Sequence, residues 1–515
     1  MLPEFRNEPL TDFANEANRR AMEAAIASVE ERFGRHYPLF VRGREVRTAR
    51  EFDSLDPSDP SRVVGRVAAA TPEVADEAVR AAHDAFRAWS HTTAEARARV
   101  MLRAAAIMRR RRFELDALEV LEAGKPWIEA DADVAEAIDF LEYYAREAIR
   151  WAAPKEVVPF SGEDNELFYL PIGVVVCIPP WNFPLAITTG ITSAALVTGN
   201  TVVLKPASAT PVIAWQLCEI LLEAGLPEGV LQYLPGQGGE IGDTLVLHPL
   251  TRAVSFTGSM AVGLRISELA SRVVPGQRWI KRVVAEMGGK DAIIVAEDAD
   301  IPAAAQAAVV SAFGFQGQKC SACSRLIVVD EVYERVVEEV VRLASAIRVG
   351  PPRYYENTMG PVITETALRG IMNYIEVGRG EGQLLCGGGR LDLPGYFLQP
   401  TVFGDVRPGA RIEQEEIFGP VLACIRARSF DHALEIANDT QYGLTGAVFS
   451  RNRAYLEKAR REFHCGNLYF NRKCTGALVG VQPFGGFDMS GTDSKAGGPD
   501  YLGLFLQAKV VSERF

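Results

Sequence analysis

Histidine is scarce in this chain of 515 residues, and the six present (His36, His83, His91, His248, His432 and His464) are widely dispersed. Only Cys320 and Cys323 form a C-x-x-C pair; the other six cysteines lie far apart, and no second such pair or close histidine pair follows. A zinc site needs about four clustered ligands, so the sequence offers no metal centre. A disulfide scaffold is short and cysteine-dense, unlike this chain, and the thiols are expected to be reduced. An excess of positive charge is also missing: 55 lysines and arginines face 66 acids, a formal net charge of −11. The arginine-rich "MRRRRFELD" is closely followed by acids, as on a solvated helix face, so nucleic acid is not an expected partner. The opening "MLPEFRNEPLTDFANEA" carries acids from Glu4 onward and lacks the apolar core of a secretory signal, from which a cytoplasmic location is expected. Internal repeats and low-complexity linkers are absent as well.

Charge is missing locally too. From Glu166 to Lys205 no charged residue intervenes, which by hydropathy alone nominates a membrane span. Pro171, Pro179, Pro180 and Pro184 break any continuous helix there, and a lipid-exposed loop would leave main-chain groups unpaired. A buried α/β core is the better reading, with no membrane partner.

What the chain does have is length and apolar content for two or three domains: 48% of residues are hydrophobic and 23% charged. Residues 68–150 show helical spacing, as in "EVADEAVRAAHDAFRAW". From Leu167 short β-rich runs ("LFYLPIGVVVCI", "NTVVLKP", "GVLQYLP", "RAVSFTG") alternate with helical stretches, which implies a parallel sheet with crossover helices. A second series runs from "DAIIVAEDADI" through "SRLIVVDEVYERVVEEVVRLAS" to "HALEIANDTQYGLTGAVFS", so a second α/β domain is expected. Two pieces fit neither series: "KEVVPFSGEDNELFYLP", whose Gly-Glu-Asp-Asn centre reads as a hairpin, and the terminal "LFLQAKVVSERF". Both are expected to serve subunit contacts.

Taken singly, the motifs leave alternatives open. "SFTGSMAVG" puts Thr257, Gly258 and Ser259 between a strand and a helix, where N–H groups could meet a phosphate, yet it is not the G-x-G-x-x-G fingerprint and an ordinary βα turn looks the same. Lys205 of "VVLKPAS" stands at the C-terminal end of a strand, the ligand-binding edge of an open α/β sheet, or is simply a surface lysine. Glu286 of "AEMGGKDAI", at the start of a buried-looking strand, reads as a general base or as a buried ion-pair partner. In "FGFQGQKCSACSRLIVV" no thioredoxin-like setting and no motif-bearing histidine supports a redox pair or a Cys-His protease. That leaves Cys320 as a single nucleophile in a glycine-bordered turn beside Lys319, or as a small buried hydrophobe.

The combination narrows these choices. "PWNFP", "KPA", "FTGSMAVG", "EMGGKD", "GQKCSACSR", "EEIFGPV" and "PFGGFDMSG" occur in this order and together resemble the aldehyde dehydrogenase superfamily over essentially the whole chain. Within it the chain is most similar to the glutamate-γ-semialdehyde (1-pyrroline-5-carboxylate) dehydrogenases, from "FRNEP" through "FQGQKCSACSR" to "NRKCTGALVGVQPFGG".

The resemblance implies an α/β fold with a Rossmann-type cofactor domain (1–153 and 170–286), a catalytic domain (287–482), an oligomerisation β-flap (154–169 and 495–515) and a connecting segment (483–494). It implies Cys320 as nucleophile, Asn182 as oxyanion donor and Glu286 as the base that activates water. At the cofactor it places Ile178, Pro179 and Trp181, Lys205 and Ser208, Thr257, Gly258 and Ser259, and Glu416 and Phe418. At the substrate it places Phe183, Ser321, Gly476, Ala477 and Phe484. NAD is the implied cofactor. Ser208 stands where many NAD-preferring relatives carry glutamate, so NADP is expected to be accepted as well. Met287 replaces a common leucine or threonine, a change of apolar bulk. A small aldehyde is the implied substrate, here glutamate-γ-semialdehyde in the second step of proline degradation, with another semialdehyde as the alternative. A homodimer or an assembly of dimers is implied. Relatives that pass the acyl group to coenzyme A usually lack the glutamate at position 286, and a silent binding relative would have lost Cys320 or Glu286; both residues are present.

Overall fold

The computed structural model describes residues 2–515. Two seven-stranded sheets organise the chain. In the first, Val174–Ile178 lies between Thr201–Leu204 and Thr251–Thr257, and Arg282–Glu286 and Leu231–Tyr233 extend it, all in parallel. In the second, Asp291–Val295 lies between Cys323–Val329 and Thr445–Phe449, again in parallel. Alternation assigns the side chains to opposite faces: Ile293 and Val295 join one core cluster, Ala292 and Ile294 another. Both faces are covered, which is why these strands read as continuous apolar runs.

The charge-free stretch becomes strand, loop, helix and strand rather than a span. Its helix, Ala186–Val197, is apolar almost all round and almost wholly buried. Among the described residues no helix is long and apolar enough to cross a membrane.

Two local expectations need correction. The segment around Gly162 is not a two-stranded hairpin. Only a single bridge, Lys155 to Leu167, folds it on itself, and Glu163–Pro171 pairs instead with the terminal strand Leu506–Arg514 over nine residues. The two unassigned pieces are therefore one antiparallel ribbon, with Val510 63% exposed on it. Glu286 does not begin a strand but ends Arg282–Glu286 in the first sheet; the strand after the glycines, Asp291–Val295, belongs to the second. The N-terminal strands were not foreseen. Leu39–Val41 and Arg44–Val46 add an antiparallel edge to the first sheet, too short for periodicity to show.

Candidate active site

The C-terminal edge of the first sheet faces the N-terminal edge of the second, and several loops meet between them. Helix Ile301–Phe313 ends just before a turn in which Phe315, Gln316 and Gly317 all have left-handed φ (47°, 58° and 68°). Two non-glycine residues in that region cost about 1–3 kcal/mol each, so the surroundings must hold them. Gln316 Nε2 donates to the carbonyls of Gly124 (2.9 Å) and Pro361 (2.7 Å), and Gln318 Oε1 accepts from Ile363 N–H (2.9 Å). The glutamines of "FQGQKC" are thus buried pins for the turn that carries Cys320. Neither role was legible in the sequence; amides flanked by close-packed glycines were the one available signal.

Asn182 is 5% exposed, and its Nδ2 donates to Gln318 O at 3.0 Å. A carboxamide nitrogen has two hydrogens, so this bond fixes the side chain beside the Cys320 turn and leaves one donor free. Gly289 permits the closest approach: a Cβ there would lie 2.4 Å from Cys320 O. Burial, followed by the negative charges of Asp291, Glu416 and Glu286, raises the Cys320 thiol far above the usual thiol range. Lys319 is not a free cation beside it, because its Nζ pairs with Glu129 at 2.6 Å. Cys323 faces the opposite way. It is 1% exposed, lies in the core beneath the second sheet, and its thiol meets that of Cys474.

Glu286 is held by the "PFGGFDMSG" segment, which runs antiparallel beside its strand. Met287 N–H donates to Ser490 O (2.7 Å), Thr492 N–H to Ala285 O (2.9 Å), and Glu286 bridges Gly491. Ser494 Oγ donates to Oε1, while Oε2 has no partner. Burial, opposed by the Ser494 bond, pushes the Glu286 carboxyl up to about 8. The carboxyl is turned to Ser494 rather than bonded to Cys320. Ser494 was not singled out in the sequence.

In the first sheet the strand order reverses at Val174–Ile178, which opens a crevice between its C-terminal end and that of Thr251–Thr257. Ile178 closes the first of these strands and Pro179 and Trp181 follow it; Thr257 closes the second, and Gly258 and Ser259 lead into helix Met260–Ser271. Ser259 makes no capping bond, so the first N–H groups of that helix keep their donors. Lys205, beside the crevice, is 5% exposed rather than a surface lysine; its Nζ bonds Pro206 O at 3.1 Å, and burial lowers it to about 8. Ser208 Oγ donates to Gly236 O at 3.1 Å. Across the gap, Glu416 Oε1 accepts from Gly289 N–H (3.1 Å), burial raises its carboxyl, and the Phe418 ring stands edge-on to Trp181 at 5.5 Å.

Residues 472–477 pack on the Cys320 turn: Cys474 Sγ donates to Ser321 O at 3.4 Å. Gly476 has φ 77° and Ala477 is half-buried in the same loop. Phe183 and Phe315 share the ammonium of buried Lys125, at 4.6 and 5.0 Å from their ring centres. Phe484 is fixed by paired main-chain bonds with Ala496 (2.9 and 2.8 Å). Among the described residues no group of histidine, cysteine or acid side chains could hold a metal ion.

The aldehyde dehydrogenase family model matches residues 44–511. The chain belongs to the aldehyde dehydrogenase family. It is 61% identical over 515 residues, all of both chains, to a 1-pyrroline-5-carboxylate dehydrogenase of Geobacillus kaustophilus. It is 54% identical over 511 residues, 99% of each chain, to that of Bacillus subtilis. The crystal structure of the 1-pyrroline-5-carboxylate dehydrogenase from Thermus with bound NAD, 56% identical, superposes over all of both chains with a TM-score of 0.98. Membership in the family agrees with the two seven-stranded sheets described above.

Proposed function

We propose that this protein oxidises L-glutamate γ-semialdehyde, in equilibrium with 1-pyrroline-5-carboxylate, to L-glutamate, with NAD(P) as the electron acceptor. The observation that carries this reading is the full-length identity of 61% to a relative of that name. Cys320 Sγ adds to the aldehyde carbon, and its proton is lost to solvent or a nearby carboxylate. The resulting oxyanion is stabilised by the free hydrogen of Asn182 Nδ2 and by Cys320 N–H, donors worth about 3–4 kcal/mol each. NAD(P), when bound, would supply the two-electron oxidation by accepting the hydride that leaves the former aldehyde carbon. Lys205 and the open helix end at Ser259 are donors suited to its ribose and pyrophosphate, and Glu416 is an acceptor suited to its second ribose. The oxidised carbon is left as a thioester on Cys320. Glu286, as carboxylate, takes a proton from water; the water oxygen attacks the thioester carbon, the C–S bond breaks, and the thiolate is restored.

The substrate's remote carboxylate calls for donors, and the N–H groups of Gly476 and Ala477 with the Ser321 hydroxyl can supply them, while Phe183 and Phe484 flank the carbon chain. Ala477→Pro removes one donor and should lower kcat/KM for the semialdehyde about ten- to a hundredfold, with Ser321→Ala measured beside it because proline also stiffens the loop. Propanal, which has no carboxylate, is the control. If both variants impair propanal equally, the loop is not a carboxylate anchor, and a wild-type preference for propanal would overturn the substrate.

NADP is accepted beside NAD on this reading, because Ser208 presents no carboxylate to a 2′-phosphate. Ser208→Glu should penalise NADP more than NAD, read as the ratio of kcat/KM values. Absence of wild-type turnover with NADP would contradict it. The division into a cofactor unit (1–153, 170–286), a catalytic unit (287–482), a flap (154–169, 495–515) and a connector (483–494) is supported by the sheet memberships. The exposed Leu170, Val510 and Val511 on the ribbon support a dimer or assembly of dimers, and eight free cysteines support a cytoplasmic location.

A further inference from the structure

Lys473 is a charged group beside the substrate loop that no step above uses. Its Nζ lies 3.3 Å, and its Cε 3.1 Å, from where a Cβ on Gly476 would stand, so the ammonium rests directly over the loop. Two neighbours fix this arrangement. Arg472 donates to the carbonyls of Thr475 and Gly476, both at 3.0 Å, with its guanidinium stacked 4.4 Å over Tyr469. Cys474 bonds Ser321 O, which ties the same segment to the nucleophile's turn. Loop carbonyls are thus occupied by Arg472, while Lys473, beside Gly476, is exposed.

The local charge balance leaves that ammonium uncompensated. Lys319 and Glu129 form a neutral pair, and Lys473 lies near enough to both that Glu129 attracts it and Lys319 repels it. Lys473 is exposed overall, but the protein packed about its ammonium, then repulsion from Lys319, lowers it from its usual range. A ligand anion at Gly476 would offset the repulsion from Lys319 and favour the charged ammonium. Backbone N–H groups orient a carboxylate but carry no net charge; an ammonium adds attraction that acts over several ångströms and is screened by salt.

We propose that Lys473 is a specificity-determining residue whose ammonium meets the remote carboxylate of the substrate over the Gly476–Ala477 loop. This rests on the semialdehyde reading above. Steady-state kinetics of wild type, Lys473→Gln and Lys473→Arg with L-glutamate γ-semialdehyde and with propanal, each between about 0.05 and 0.5 M NaCl, test it. Lys473→Gln should raise KM for the semialdehyde about tenfold, change kcat little and abolish the rise of KM with salt, and Lys473→Arg should restore most of the loss. Propanal, which offers no carboxylate, should respond to neither substitution nor salt. If wild type prefers the semialdehyde and Lys473→Gln keeps both its KM and its salt dependence, the role of Lys473 is refuted and the substrate reading stands. Equal losses on both aldehydes refute it as well, and a wild type without preference removes both.

Discussion

Cys320→Ala should abolish aldehyde oxidation and Cys323→Ala should retain most of it, in an assay that follows the reduced nicotinamide with the semialdehyde as substrate. The two thiols are three residues apart in sequence but have opposite surroundings. Cys320 sits on a turn braced by Gln316 and Gln318 and placed beside Asn182, so on the proposed reading an oxyanion formed there would find preorganised donors. Cys323 opens strand Cys323–Val329 and is sealed in the core against Cys474, where no substrate carbon can reach it. Its loss removes a small buried group and should cost about 1 kcal/mol of stability, visible as a modest fall in melting temperature with kcat nearly kept. An active Cys320→Ala protein, or an inactive but folded Cys323→Ala protein, would reverse the assignment.

Glu286→Gln should slow hydrolysis of the thioester by about 10²- to 10⁴-fold while leaving its formation measurable as a single burst of reduced nicotinamide. The pH dependence follows from the raised carboxyl. Below about 8 the buried Glu286 is mostly the neutral acid, which has no basic site for a proton from water. In wild type the hydrolysis step therefore rises with pH, about tenfold per unit well below 8, and levels off above it. In Glu286→Gln that rise is gone. Rapid-mixing measurement of the step from pH 6 to about 9.5 checks the sign; a rate that falls with pH, or a rise that persists in the variant, would show that another group is the base.

Much of this arrangement was legible in the sequence, and the parts that were not share a physical reason. Strand-helix alternation from Leu167 marks both parallel sheets because buried strands must be apolar on both faces, as with Ile293 and Ile294. Spacing cannot report contacts between residues far apart in the chain. The bond from Ser494 to Glu286 spans 208 positions, that from Gln316 to Gly124 spans 192, and that from Asn182 to Gln318 spans 136. The supposed hairpin failed for the same reason: its turn residues were visible, but the partner strand, Leu506–Arg514, lies more than three hundred residues downstream. Lys205 shows the converse, since its place at a strand end was readable and its burial was not.

On the proposed reaction, a covalent acyl intermediate forms from glutamate semialdehyde on one sulfur, that of Cys320. Its most direct test is peptide mass spectrometry of Glu286→Gln protein quenched in acid after mixing with L-glutamate γ-semialdehyde and NAD. The expected result is one glutamyl group on the peptide containing Cys320, carried by that residue and absent when NAD is omitted. A stable acyl group on Cys323, or turnover of the semialdehyde with no acyl group on any cysteine, would contradict it.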